Sequence, residues 1–194
     1  MSPFVASILS ILARKAIEYA KNWAVKSARP RGEWLGKVSD ASVTDEAAVQ
    51  AGYKSGTPCR LIIADERDPL RWRHESGVEY RVGDGISDGG STPEFLRNMV
   101  KPWADIEPFG RHTPAFFAHD SLYRDGGCFV RKTPSAEWEW IRLNRGQADF
   151  LFFQMLCSTG RRAEVFAIWR AIRRFGSRPW AVYRKREAAT LARP

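Results

Sequence analysis

Leu70-Arg71-Trp72-Arg73-His74-Glu75-Ser76-Gly77-Val78-Glu79-Tyr80-Arg81-Val82 reads as two strands joined by a tight turn. Leu70, Trp72 and His74 alternate with charged residues, and so do Val78, Tyr80 and Val82. A period of two places alternate side chains on opposite faces of a sheet. Ser76-Gly77 supplies the hairpin turn. His74 is then a side chain on a half-exposed strand, with no chemical role. Upstream, Leu61-Ile62-Ile63 is a short apolar run, and residues 33–82 as a whole read as mostly strand. Downstream, Gly83-Asp84-Gly85-Ile86-Ser87-Asp88-Gly89-Gly90-Ser91-Thr92-Pro93 is a loop composition. Thr92 and Pro93 then open a short helix through Leu96, as cap and first residue.

The second half of the chain reads as helical. Thr113-Pro114 starts a helix over Phe116-Phe117-Ala118-His119-Asp120-Ser121-Leu122-Tyr123, and Asp125-Gly126-Gly127 ends it. A long helix is expected from about Ser135 to Cys157, and another from about Arg161 to Phe175, broken by Gly176-Ser177-Arg178-Pro179. At the other end, Val5, Ile8, Leu12, Ala16, Tyr19 and Trp23 share one face of an amphipathic helix over 3–28, which Arg29-Pro30-Arg31-Gly32 ends. It suits packing on its own domain or docking on a partner chain. The expected class is α+β: an N-terminal helix, a small antiparallel β-sheet, then a helical bundle. The expected divisions are an arm at 1–31, a single α+β domain at 32–187 and a frayed tail at 188–194.

Composition bounds the partners. The 194 residues are 44% hydrophobic and 12% aromatic, enough for a packed core, and the net charge is +9. An excess of that size selects an anionic partner: nucleic acid, an anionic lipid surface or an acidic protein face. The segment 160–194 holds nine Arg and Lys185 against Glu164 and Glu187. Cys59, Cys128 and Cys157 form no CxxC pair, which argues against a disulfide framework or a zinc knuckle. The apolar run Pro3 to Ala13 precedes Arg14-Lys15 instead of following a basic stretch, so no signal peptide is expected. It is also shorter than the ~20 apolar residues that span a bilayer.

His119 and Asp120 sit in an apolar helix, where each needs a partner or a metal. The helical neighbours of His119 are Ala115, Phe116, Leu122 and Tyr123, so it faces inward. Asp149 is followed on its own face by Phe152, Phe153 and Leu156 and also faces inward. The economical arrangement pairs His119 with Asp149, with the Tyr123 hydroxyl as a second hydrogen bond to that carboxylate. Asp120 projects about 100° away. It faces the glycine loop, where Asp84 and Asp88 add carboxylates and Gly85 and Gly89 allow close backbone approach, a hard-oxygen set suited to calcium.

His119-Asp120-Ser121-Leu122-Tyr123 with Asp149 resembles the phospholipase A2 active site. That resemblance implies that His119 activates water, that Asp149 and Tyr123 orient it, and that Asp120 and the glycine-rich loop bind calcium. It does not extend to the disulfides of the secreted enzymes or to their Tyr-Gly-x-x-Gly loop. A second resemblance is to a family of small bacteriophage and prophage proteins of unknown function. It rests on Asp88-Gly89-Gly90-Ser91-Thr92-Pro93, on Ala118 to Tyr123, on Ala148-Asp149 with Phe152, and on Arg173-Arg174-Phe175-Gly176, covering roughly 78–176. It implies a virion or host-cytoplasm setting with other particle proteins, of tail or neck, as partners. The expected function is therefore a phage-associated, calcium-assisted ester hydrolase. The alternative is a structural or docking component of the particle that uses the same residues as a buried polar network. Nucleic-acid binding ranks third, since the basic charge permits it but no motif carries it. Ser91 is a further candidate loop contact. No HExxH occurs, and His112 is expected in the loop before its helix.

Overall fold

The computed structural model describes residues 31–36, 38–50, 54–57, 59–64, 70–81, 85–87, 112–159 and 162–191. The helices expected at 3–28 and at 92–96 lie outside these. The described residues form an α+β fold. In chain order the strands are β1 (Gly32–Leu35), β2 (Val38–Ser42), β3 (Arg60–Ala64), β4 (Arg71–His74), β5 (Glu79–Arg81), β6 (Gly85–Ser87), β7 (Gly127–Arg131) and β8 (Glu139–Arg142). The helices are α1 (Asp45–Gln50), α2 (Thr113–Asp125), α3 (Arg145–Leu156), α4 (Arg162–Phe175) and α5 (Ser177–Leu191). A five-stranded sheet has the order β1-β4-β5-β7-β8 and a three-stranded sheet the order β2-β3-β6, every pair antiparallel.

The β4–β5 hairpin forms where the alternation places it. Gly77 turns the chain at φ 87° and donates its N–H to the His74 carbonyl, while His74 N–H reaches Val78 O at 2.8 Å. That positive φ is what glycine accepts without a Cβ clash. The cross-strand row Trp34–Trp72–Tyr80 faces the helices, and Trp72 is fully buried there. Its indole N–H donates to Ser158 Oγ at 3.0 Å, so the ring carries no orphaned donor.

Four readings of the sequence are corrected. The strand-rich stretch 33–82 contains α1, started where Thr44 Oγ1 accepts the Ala47 N–H at 3.3 Å. Within the glycine-rich segment, 85–87 is not loop but β6, paired with β3 so that Leu61 opposes Ile86. The helix expected from Ser135 begins only at Arg145. Before it, Glu139–Arg142 pairs with β7, and a capping box stops the helix extending back: Asn144 Oδ1 accepts the Gln147 N–H at 2.9 Å, and Gln147 Oε1 accepts the Asn144 N–H at 2.8 Å. Gly176 ends α4, but Ser177 starts α5 at once, and that helix continues to Leu191, beyond the Ala188 at which a frayed tail is expected.

α2, α3 and α4 build the core on the inner face of the five-stranded sheet, with Phe116, Leu122, Phe152, Met155, Leu156, Val165 and Ile168 all buried. Each large apolar side chain so buried contributes roughly 1.5–3 kcal/mol. The three cysteines are buried and form no disulfide among the described residues, and burial pushes the Cys128 thiol up to about 12 and the Cys157 thiol up to about 11. α2 ends at Gly126, φ 68°, and its last carbonyls are met from α5: Arg184 Nη2 donates to Tyr123 O at 2.9 Å and Arg124 O at 2.6 Å. A cation at a helix C-terminus satisfies orphaned acceptors and opposes the dipole. Arg184→Ala is expected to destabilise the protein by about 1–2 kcal/mol, read as a lower urea midpoint with unchanged slope.

On the outer face, Glu79 of β5 is fully buried beneath arginines of both neighbouring strands. Arg131 Nη2 lies 2.6 Å from Glu79 Oε2, and Arg73 Nη2 lies 2.8 Å from Oε1. Burial pushes the carboxyl up, but the hydrogen bonds and charges of Arg131 and Arg73 outweigh it and hold it below its ordinary 4.5. A depressed folded-state pKa contributes stability above the unfolded pKa and loses it as pH falls through the folded one. Glu79→Gln is expected to cost about 3 kcal/mol at pH 7, the low end for breaking a buried pair because both arginines keep some solvent contact. The difference between wild type and variant should shrink below pH ~4. Urea unfolding of both at pH 7 and pH 3 checks this.

Candidate hydrolytic site on helices α2 and α3

The site is set by two helices whose registers are each fixed at their ends. Pro114 lies in the first turn of α2, where its missing N–H costs nothing, and Gly126 closes it. The capping box of α3 turns Ala148, Asp149 and Phe152 toward α2, and all three are buried. Tyr123 and Asp149 consequently meet: the phenol donates to Asp149 Oδ1 at 2.5 Å. Burial, then the hydrogen bond to Asp149, pushes the Tyr123 hydroxyl well above its ordinary range, so it remains a donor.

His119 is inward-facing, as its neighbours predict, at 7% exposure. Its ring lies 4.1 Å from that of Tyr123 and 4.5 Å from that of Phe152. Nδ1 is 3.8 Å from Asp120 Oδ1, and Nε2 is buried with no hydrogen-bond partner among the described residues. The expected hydrogen bond from His119 to Asp149 is not formed. Asp149 is taken by guanidinium groups instead: Arg173 Nη1 of α4 donates to Oδ2 at 2.9 Å, and Arg145 Nη1 stands 3.9 Å from the same oxygen. A fully buried carboxylate gains more from a charged donor than from a neutral imidazole. Arg145 was legible as the i−4 partner of Asp149. Arg173 arrives from another helix, and no local spacing announces it.

Asp120 does face the glycine-rich segment. Its Oδ2 accepts a hydrogen bond from Ser87 Oγ of β6 at 2.5 Å, and Ser87 is fully buried. The loop contact is thus Ser87; the nominated Ser91 lies outside the described residues, as do Asp84, Asp88 and Gly89. At Gly85 of β6 a Cβ would collide with the Arg124 guanidinium of α2. Among the described residues, no three His, Cys, Asp or Glu side chains converge as a metal site. Asp120 alone is one carboxylate, half committed to Ser87, where calcium takes six to eight oxygens. The described residues by themselves do not make a calcium site.

His112 lies immediately before α2, at its cap position, and is buried there, with Nδ1 2.9 Å from Thr159 Oγ1 and Nε2 3.5 Å from Glu164 Oε2. Thr159 Oγ1 gives its own proton to Leu156 O at 3.0 Å, so it accepts from the imidazole. This cluster ties α2, α3 and α4 together at the end remote from Tyr123. Among the described residues no helix is long and apolar enough to cross a membrane. No protein-family model, no curated protein and no solved structure matches the chain.

Proposed function

We propose that the chain is a phage-associated ester hydrolase of the phospholipase A2 kind, with His119 as the base that activates water. One observation carries the reading. The imidazole is held in an aromatic slot with Nε2 turned inward and Nδ1 turned toward the Asp120 carboxylate. A ring so oriented presents one nitrogen to a water beside Asp120 and takes its proton as the water attacks an ester carbonyl. Tyr123, locked to Asp149, fixes the wall against which the ring stacks. Calcium, where bound, would polarise the carbonyl. Its remaining oxygens would have to come from Asp84, Asp88 and the backbone of Gly85 and Gly89 around Asp120. Fatty-acid release from anionic phospholipid vesicles, with calcium and with EDTA, tests the activity. Release that is zero in both conditions ends this reading.

A second reading is favoured by the guanidinium pairs on Asp149. With its carboxylate saturated by Arg173, Arg145 and Tyr123, the cluster is a stable buried network suited to a structural or docking component of a phage tail or neck. Co-sedimentation with purified virions, together with no hydrolysis, supports it. A protein absent from virions opposes it.

A further inference from the structure

The five-stranded sheet has a second face that the core does not use. On it the register aligns Arg71, Arg81, Phe129 and Trp140 in one row across β4, β5, β7 and β8. The next row aligns Glu33, Arg73, Glu79 and Arg131. Phe129 is 41% and Trp140 45% exposed, although both sit within strands. Their rings meet edge to face at 5.0 Å. Gly127 lets the Trp140 ring lie across β7, since a Cβ there would come within 2.7 Å of Cζ2. Beside them the Arg131 guanidinium covers the Trp138 ring at 4.6 Å. Glu79 occupies Arg73 and Arg131. Arg81, next to Phe129 in the row, makes no hydrogen bond or ion pair among the described residues.

We propose that this outer sheet face binds single-stranded nucleic acid. Exposed aromatic rings on a sheet cost free energy in water, and these two, in contact with each other and next to Arg81 in the row, form a stacking surface with a donor for phosphate at its side. Strands about 4.8 Å apart spread the row over roughly 14 Å, the scale on which a few splayed nucleotides lie. A duplex hides its base faces and gains only the charge. A lipid surface needs apolar side chains that insert, and here the two rings lean edge to face on each other, with Trp140 lying across β7. Bases stack on Trp140 and Phe129, and Arg81 takes a phosphate.

The experiment is fluorescence anisotropy of labelled dT12 and U12 against the full chain, with a 12-base-pair duplex and phosphatidylglycerol vesicles in parallel, at 50 and 200 mM salt. The expected result is tighter binding of dT12 or U12 than of duplex. Trp140→Ala and Phe129→Ala should each weaken single-strand binding about 10-fold. Arg81→Gln should lower the slope of log affinity against log salt by about 0.7. All three positions are at least partly exposed, and unchanged circular dichroism confirms the fold. His119→Asn should leave the affinity as it is, which separates this surface from the hydrolytic site. The proposal is overturned if neither single strand binds at 50 mM salt, or if duplex binds as well. It is also overturned if the aromatic variants bind like wild type, or if Arg178→Glu with Lys185→Glu abolishes binding that Trp140→Ala leaves intact. Vesicle binding without single-strand binding makes the face a lipid surface and likewise overturns it.

Discussion

Replacing His119 with asparagine should lower ester hydrolysis by about 10²- to 10⁴-fold, the range over which a positioned general base acts. Asparagine keeps a polar group of similar size in the slot between Tyr123 and Phe152 but cannot take a proton at neutral pH. The loss should fall on kcat with little change in KM, because in the proposed mechanism the imidazole acts on water in the transition state and not on the bound ester. Thermal unfolding of the variant belongs beside the rate. If the transition stays within a few degrees of wild type while hydrolysis collapses, the role is chemical. If hydrolysis is unchanged, His119 is a core residue and the mechanism is wrong.

The largest effect on stability should come from Asp149→Ala. It leaves the Tyr123 hydroxyl without an acceptor and removes the carboxylate that Arg173 and Arg145 approach. Breaking a buried charged pair from one side costs about 3–5 kcal/mol. The lower part of that range applies, since Arg173 and Arg145 keep part of their surface in water. For a chain of this size about 3 kcal/mol corresponds to a melting temperature lower by roughly 10 °C. Asp149→Asn keeps an oxygen for Tyr123 and loses only the charge, so it should cost about half as much. Equal losses for the two variants would mean that Arg173 and Arg145, not Tyr123, carry the network.

The hairpin of β4 and β5 was legible because half-buried strands write their two faces into alternate residues. Trp72 and Tyr80 indeed lie inside, and Arg71, Arg73 and Arg81 outside. The burial of His119 and its closeness to Tyr123 were legible from helical spacing, and so was the Tyr123–Asp149 bond, because Asp149 is followed on its face by Phe152, Phe153 and Leu156 and must turn inward to a partner. β8 was not legible. Trp138 to Arg142 has helical and strand periodicity at once, and pairing with β7 decides between them. β6 is three residues whose pairing with β3 comes from outside the segment. Arg173 was hidden because a partner from α4 depends on how α4 packs. Ser87 was passed over for Ser91 because the loop composition carried no register. The exposure of Trp140 was not legible either, since it depends on Gly127 of the neighbouring strand, whose missing side chain makes the room.

The proton on the His119 ring tests the account most directly. Long-range ¹H–¹⁵N correlation spectra at neutral pH, with His74 and His112 separated from His119 by the His119→Asn variant, report which nitrogen carries it. Catalysis by His119 requires the proton on the sequestered Nε2 and a lone pair on Nδ1, facing the water beside Asp120. A proton held on Nδ1 and directed at the Asp120 carboxylate would leave no base on that side of the ring and would contradict it.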